Sequence, residues 1–141
     1  MTQPRLALIT GSTSGIGLGI AKALARDDFQ IILHGLGTLE QIEGAKAEIE
    51  SLSPHPVHFL GTDLTQVDAI ELAFTETIEA LGAISVLVNN AGMQHTAPIH
   101  EFPVEQYQRI IDLNLNACFH TTRLTLPGML SQNYGRIINI A

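Results

Sequence analysis

The stretch TGSTSGIGLG at positions 10–19 contains the residue types of a phosphate-binding turn. Gly11, Gly15 and Gly17 follow a short apolar run and are spaced G-x-x-x-G-x-G. Small residues let a backbone approach a phosphate, and a following helix N-terminus supplies N–H groups and partial positive charge. The hydroxyls of Thr13 and Ser14 add two donors. Such a turn can merely cap a helix, but its position between a strand and a helix favours nucleotide binding.

Two later turns could contact the rest of a nucleotide. HGLG at 34–37 has neither an acid for ribose hydroxyls nor an arginine for a 2′-phosphate, so the sequence leaves NAD and NADP open. Leu36 could pack beside an adenosine, or it could belong to a plain surface turn. Asp63, in TDLT, could accept a hydrogen bond from the adenine amino group, or it could cap the next helix with Thr65.

A third turn, NNAGMQH at 89–95, combines two asparagines with small residues. These residues suit a tight turn and leave room for a ribose against the backbone. The histidines invite a metal-site interpretation, but no pair has helical ligand spacing with a third ligand nearby. We therefore expect no metal site.

Strands and helices must alternate to position these turns. Apolar runs predict strands at 5–10, 29–34, 57–61, 85–92 and 136–140, and apolar periodicity predicts helices near 15–28, 39–52, 65–81 and 104–130. In the first helix Ile16, Ile20, Ala23 and Leu24 recur at helical spacing. This alternation predicts a single doubly wound α/β domain over 1–141, a Rossmann-type parallel sheet whose ligands bind beyond the carboxyl ends of its strands.

Composition excludes several function classes. The chain is 45% hydrophobic and 15% charged, as in globular domains, and has no apolar run near the ~20 residues that span a bilayer. Its net charge of −7 argues against nucleic acid as a partner. Because the N-terminus does not resemble a secretory signal and Cys118 is the only cysteine, we expect a cytoplasmic protein without disulfides and without membrane contacts.

Five ordered motifs together resemble the short-chain dehydrogenase/reductase family. They are TGSTSGIG, DLT, NNAG, LNLNACF and GRIINIA, and they extend over the whole chain. Within the family, TGSTSGIGLGIAKALA, NNAGMQHTAPIHEFP and CFHTTRLTLPGM are most similar to bacterial members that interconvert D-3-hydroxybutyrate and acetoacetate. The resemblance implies hydride transfer with NAD as cofactor and a small hydroxy or keto acid as substrate.

The resemblance also implies roles for individual residues. Gln94 matches a glutamine that holds the substrate carboxylate, although an exposed glutamine alone is usually just solvated. Asn114 matches the catalytic asparagine, whose backbone carbonyl holds a relay water, and only the motif register distinguishes it from Asn116. The implied cofactor contacts are Gly11, Thr13, Ser14, Gly15, Ile16 and Gly17 at the pyrophosphate, Leu36, Asp63 and Leu64 at the adenosine, and Asn90, Ala91, Gly92 and Leu113 at the nicotinamide-side ribose.

The family's remaining catalytic groups are a serine after the fifth strand and a later Tyr-x-x-x-Lys. Neither Tyr107 nor Tyr134 is followed by a lysine at the fourth position. We therefore expect a domain truncated after the fifth strand, which is inactive alone and belongs to a protein that forms a homo-oligomer, a tetramer, when complete. The alternatives are another short-chain reductase, such as an NADPH-dependent 3-oxoacyl-carrier-protein reductase, and a non-catalytic nucleotide-binding module.

Overall fold

The computed structural model describes residues 3–141, which form a five-stranded parallel sheet with helices on both faces. The strand order is β3-β2-β1-β4-β5. The strands are β1 Leu6–Ile9, β2 Gln30–His34, β3 His58–Leu60, β4 Ile84–Asn89 and β5 Arg136–Asn139. The helices are α1 Gly15–Arg26, α2 Leu39–Glu50, α3 Val67–Leu81, α4 Val104–Ile111 and α5 Ala117–Ser131. The predicted doubly wound Rossmann-type fold is confirmed.

Two apolar layers enclose the central strands. Leu8 and Leu87 face one layer with Phe74 of α3, while Ala7 and Val88 face the other layer. Successive residues of a strand point to opposite faces, so uninterrupted apolar runs are what a sheet covered on both sides requires. The central strands are thereby rigid supports for the turns at their carboxyl ends.

Helix α1 buries only part of the face that its large apolar residues predict: Ile20 and Leu24 are half-buried against the core, while Ile16 is not. Ile16 is 68% exposed, and the buried positions are Gly17, Ala21 and Ala25. The helix lies so close to the sheet and to the preceding turn that only small side chains fit beneath it. Ile16 is thereby left at the surface, beside the site described below.

The long helix predicted at 104–130 is divided into three segments. Helices α4 and α5 are joined by a π-helical segment, Asp112–Asn116, which contains Asn114. Segments of this kind often mark functional sites, because the wider turn disturbs the regular pairing of backbone carbonyls. Helix α3 ends as predicted, at Gly82, which has a φ of 97°.

No helix among residues 3–141 combines the length and apolar composition needed to cross a bilayer.

Candidate functional site

The turn between β1 and α1 depends on its glycines. Gly11 and Gly15 have φ values of 60° and 58°, in the left-handed region that favours glycine. A Cβ on Gly17 would stand 2.2 Å from the Gly11 carbonyl oxygen, so no other residue fits there without a shift. Within the described residues, the hydroxyl of Ser14, the residue preceding α1, makes no capping bond. The helix N-terminus and this hydroxyl therefore remain available to an anion.

Thr10 and Asn90 join this turn to the turn after β4. The Thr10 hydroxyl accepts hydrogen bonds from the backbone N–H groups of Asn90 and Ala91, both at 2.9 Å. In return, the Asn90 side-chain amide donates to the carbonyls of Thr10, at 3.2 Å, and Gly11, at 3.0 Å. These bonds hold the two turns in one fixed arrangement. Sequence reasoning missed Thr10, whose only signal is a polar residue at the end of a buried strand.

His34 and Ser12 form a second connection that sequence reasoning missed. Gly11 N–H donates to His34 Nδ1 at 3.0 Å, and His34 Nε2 lies 2.8 Å from the Thr62 carbonyl oxygen. The His34 backbone N–H donates to Ser12 Oγ at 2.9 Å, and Ser12 N–H donates to the His34 carbonyl at 2.8 Å. Burial lowers the pKa of His34, and the Thr62 carbonyl and the Asp63 charge oppose that effect. The available signal was a histidine at the end of the apolar run FQIILH.

A cavity of about 310 Å³ lies beyond the carboxyl ends of β1, β2, β3 and β4. It brings together many residues that the family resemblance assigns to a cofactor: Gly11, Leu36, Asp63, Leu64, Asn90, Ala91, Gly92 and Leu113. Leu36 is 66% exposed, whereas Leu64 also packs in the core. Arg109 of α4, which sequence reasoning did not place here, lines the same cavity. We refer to this space as the adenosine-side cavity, after the contacts that the family resemblance implies for Leu36, Asp63 and Leu64.

Asp63 makes a local contact with Thr65, as the sequence suggested, but it does not cap α3, and its contact with an adenine stays a prediction. Its Oδ1 accepts hydrogen bonds from the Thr65 N–H at 2.9 Å and the Thr65 hydroxyl at 2.7 Å. These bonds, that from the backbone first, lower the pKa of Asp63. Helix α3 begins one residue later than that capping interpretation implies, with Gln66 as the preceding residue. Because Oδ2 makes no hydrogen bond to residues 3–141, the carboxylate keeps an acceptor at the cavity.

A second cavity, of about 510 Å³, adjoins the first across the turn that follows β4. Asn90, Ala91, Gly92 and Met93 line both spaces. The second cavity is also lined by Ile16, Gln94, Asn114, Cys118 and Ala141. We refer to it as the substrate-side cavity, after the substrate contact that the family resemblance implies for Gln94. Of the two asparagines that the sequence left open, Asn114 lines it, while the side chain of Asn116 donates to Asp112 on the helix surface.

Asn114 holds the turn after β4 through both ends of its amide. Its Nδ2 donates to the Met93 carbonyl at 3.0 Å, and its Oδ1 accepts from the Met93 N–H at 2.9 Å. Cys118 Sγ lies 3.6 Å from the Asn114 carbonyl oxygen, and burial raises the pKa of that thiol. Asn114 is therefore bonded to the turn that carries Gln94, and both residues line the substrate-side cavity.

The remaining turn residues lie outside both cavities. Thr13 lies over Gly35, where an added Cβ would be 2.9 Å from the Thr13 hydroxyl oxygen. Ser14, Gly15 and Gly17 belong to the start of α1, beside the cavities. His55 pairs with Asp28 at 2.7 Å, and no cluster of three or more His, Cys, Asp or Glu side chains able to hold a metal occurs in residues 3–141.

The geometry fits a dinucleotide. A helix N-terminus without a side-chain cap, a turn in which Gly17 cannot carry a Cβ, and two adjoining cavities follow one another along the carboxyl edge of the sheet. The first two features suit a pyrophosphate, and the two cavities suit the groups on either side of it.

The family profile described as short chain dehydrogenase matches residues 5–141. The D-beta-hydroxybutyrate dehydrogenase of Cupriavidus necator is 47% identical over 142 residues, covering 100% of this chain and 54% of that protein. The protein of the same name from Rhizobium meliloti is 43% identical over 137 residues, covering 97% of this chain and 53% of that protein. The chain thus spans about half the length of these curated relatives.

The crystal structure of a metagenomic short-chain oxidoreductase in complex with NADP has the same fold. It matches with a TM-score of 0.91 and 30% identity, over 97% of this chain and 62% of that one. The strand order and the glycine turn are consistent with the family profile, which matches nearly the whole sequence. The chain belongs to the short-chain dehydrogenase family.

Proposed function

We propose that the chain is the cofactor-binding part of an NAD-dependent oxidoreductase that interconverts D-3-hydroxybutyrate and acetoacetate. The observation that carries this proposal is the pair of adjoining cavities at the carboxyl edge of the sheet, separated by the turn that Thr10, Asn90 and Asn114 hold in place. The similarity to two D-beta-hydroxybutyrate dehydrogenases supports the choice of substrate.

The chain's own residues would bind and orient the cofactor. The N–H groups at the start of α1 and the Ser14 hydroxyl would hold the pyrophosphate, and Asp63 would accept from the adenine amino group. Asn90 to Gly92 would border the nicotinamide-side ribose. NAD, when bound, supplies hydride exchange at its nicotinamide ring. Gln94 would hold the substrate carboxylate, and the Asn114 carbonyl would hold a water in the proton relay.

NAD is favoured over NADP by the composition of the adenosine-side cavity. The turn at 34–37 contains no basic side chain, and Leu36 presents an apolar group instead. Arg109 is the basic residue that lines this cavity, and it comes from α4 rather than from the turn after β2. Since a bound 2′-phosphate usually requires an arginine close to that turn, the extra charge of NADP would be poorly compensated.

Calorimetric titration is expected to find that the chain binds NADH at least about tenfold more tightly than NADPH. The Leu36→Arg variant should narrow or reverse this preference, because its guanidinium can pair with a 2′-phosphate. Lys46→Arg, at a half-buried lysine of α2 that lines neither cavity, is the control and should leave the preference unchanged. Tighter binding of NADPH by the unmodified chain would favour the alternative, an NADPH-dependent reductase.

Turnover is expected only when the missing acid–base groups are supplied. The 141 residues contain no Tyr-x-x-x-Lys, so the chain alone should not oxidise NADH when acetoacetate is added. A protein that carries this sequence followed by the serine and the Tyr-x-x-x-Lys should reduce acetoacetate in preference to an acyl thioester. In that protein Gln94→Leu should raise KM for acetoacetate about tenfold or more, since an interaction with a charged group is lost.

Absorbance assays of NADH oxidation measure both results. Turnover by the 141-residue chain would contradict the assignment of proton transfer to a later tyrosine. Preference for the acyl thioester would instead support a 3-oxoacyl-carrier-protein reductase, and cofactor binding without turnover in the extended protein would support a non-catalytic module.

We also propose a cytoplasmic homotetramer for the complete protein. Support comes from the exposed apolar side chains of the π-helical segment and α5, Leu115, Phe119 and Leu130, which are 62%, 65% and 72% exposed. An apolar surface of this kind is typical of a contact between subunits.

A further inference from the structure

We propose that His34 is a positioning residue for the cofactor, which holds the glycine turn and the Asp63 turn together as a neutral imidazole with its proton on Nε2. This inference rests on the proposed cofactor site but concerns a residue to which neither the family motifs nor the comparisons assign a role. Protonation of the second ring nitrogen would then release the glycine turn and weaken cofactor binding in acid.

The tautomer follows from the two partners of the ring. Gly11 N–H can only donate, so Nδ1 must be the acceptor at 3.0 Å. The Thr62 carbonyl can only accept, so Nε2 must carry the proton at 2.8 Å. A doubly protonated ring would direct a second N–H at the Gly11 N–H and lose that bond. The arrangement therefore holds only while the imidazole is neutral.

The location of the ring links this chemistry to the cavity. His34 is 4% exposed and lines the adenosine-side cavity together with Gly11 and Asp63. The backbone of His34 is also bonded in both directions to Ser12, so the backbone that carries the ring is itself joined to the glycine turn. One ring thus bridges the turn that would hold the pyrophosphate and the turn that would hold the adenine.

The charged groups around the ring determine the direction of the pH effect. Asp63 faces it from the β3–α3 turn and favours the protonated ring, while Arg109 of α4 faces Asp63 across the cavity and offsets that charge. The β1–α1 turn contributes no titratable side chain among Gly11, Ser12 and Thr13. Burial, the largest effect, lowers the His34 pKa from the ordinary value of about 6.5.

The lowered pKa of His34 determines how the stability of the folded chain changes with pH. Below about pH 6.5 the unfolded chain takes up a proton that the folded chain resists, so the folded state is disfavoured as the pH falls. The contribution of His34 is fully present above about pH 6.5 and is lost as the pH falls to its lower folded-state pKa. The pKa of Asp63 is also lowered, so protonation of this carboxylate affects stability only below its ordinary pKa of about 3.9, in a separate pH range.

Proton NMR of the ligand-free chain, edited by ring nitrogen, tests the geometry without any cofactor. We expect His34 to carry its proton on Nε2 at neutral pH, and the Gly11 amide resonance to shift with the same midpoint as His34. A proton on Nδ1, or a Gly11 resonance that ignores the titration of His34, would overturn the proposal.

Two variants test separately the titration of the ring and its acceptor at the Nδ1 position. His34→Asn keeps an acceptor near the Nδ1 position, loses the donor to Thr62 and cannot titrate, so NADH affinity should fall by only about threefold at neutral pH and lose its dependence on pH below about 6.5. His34→Gln can place an amide N–H near the Nε2 position, toward Thr62, but has no acceptor at the Nδ1 position for the Gly11 N–H, and should weaken NADH binding about tenfold.

The outcomes separate this proposal from the proposed function. An unmodified chain that does not bind NADH would refute the proposed function, while the NMR result would still decide the role of His34. A His34→Asn chain with the original pH dependence would refute the role of His34 alone. If His34→Gln fails to fold, the NMR of the unmodified chain and the His34→Asn titration still give the answer.

Discussion

Replacing Gly17 with alanine is expected to destabilise the chain by about 1–3 kcal/mol and to abolish measurable binding of NADH. The added Cβ would stand 2.2 Å from the Gly11 carbonyl oxygen and 2.6 Å from the Asn90 side-chain nitrogen. Neither neighbour can yield, because the Asn90 amide donates to that same carbonyl at 3.0 Å. The start of α1 must therefore move away from the glycine turn, and the anion site that both elements form is lost.

Gly19→Ala is the matched control in the same helix. A Cβ at Gly19 would meet no atom of residues 3–141 within 4 Å, and the position is exposed. This variant should be more stable than the unmodified chain by about 0.5–1 kcal/mol, since alanine has the higher helix propensity. Urea unfolding followed by circular dichroism measures stability, and calorimetry measures NADH binding. Equal stabilities for the two variants would show that the close approach at Gly17 is absent in solution.

Thr10→Val is expected to reduce the free energy of unfolding by about 2–4 kcal/mol, although valine has nearly the same shape as threonine. The buried Thr10 hydroxyl is the acceptor for two backbone N–H groups, those of Asn90 and Ala91, each at 2.9 Å. Valine would leave both donors without a partner in a confined space, and an unpaired buried donor costs about 1–3 kcal/mol.

Thr10→Ser keeps the hydroxyl and removes only a methyl group, so it should cost about 1 kcal/mol or less. Urea unfolding of the two variants compares these values. Amide hydrogen exchange adds a local measurement: Asn90 and Ala91 should exchange faster in Thr10→Val and at nearly the original rate in Thr10→Ser. Similar exchange in both variants would contradict the role given to the hydroxyl.

Much of the fold could be predicted because its signals are local. Apolar runs such as SVLVNN and glycine stops such as Gly82 are read over a few residues, and the alternation of strands and helices leaves few sheet topologies open. Several predicted cofactor residues converge on one cavity for the same reason, since each follows a strand and all parallel strands end at one edge.

At some positions tertiary packing differs from what the local apolar pattern predicts. The large residues of α1 predict a buried face that includes Ile16, yet the helix approaches the sheet on Gly17, Ala21 and Ala25. A helix that lies close to a sheet accommodates small side chains better than large ones. The apolar periodicity of a helix does not predict its distance from the sheet. The division of the 104–130 helix around Asn114 was likewise not visible in its apolar pattern.

Residue types and their spacing are enough to predict the order of the elements and the glycine turn, and they show that no Tyr-x-x-x-Lys occurs within these 141 residues. The contacts between polar groups become visible in the folded chain alone. Thr10 reaches Asn90 across 80 positions, His34 reaches Gly11 across 23, and Arg109 lines the adenosine-side cavity from α4. Hydrogen bonds between distant segments depend on the strand order and on donor–acceptor distances that must be correct to within a few tenths of an ångström. The spacing of residues along the sequence does not contain this information.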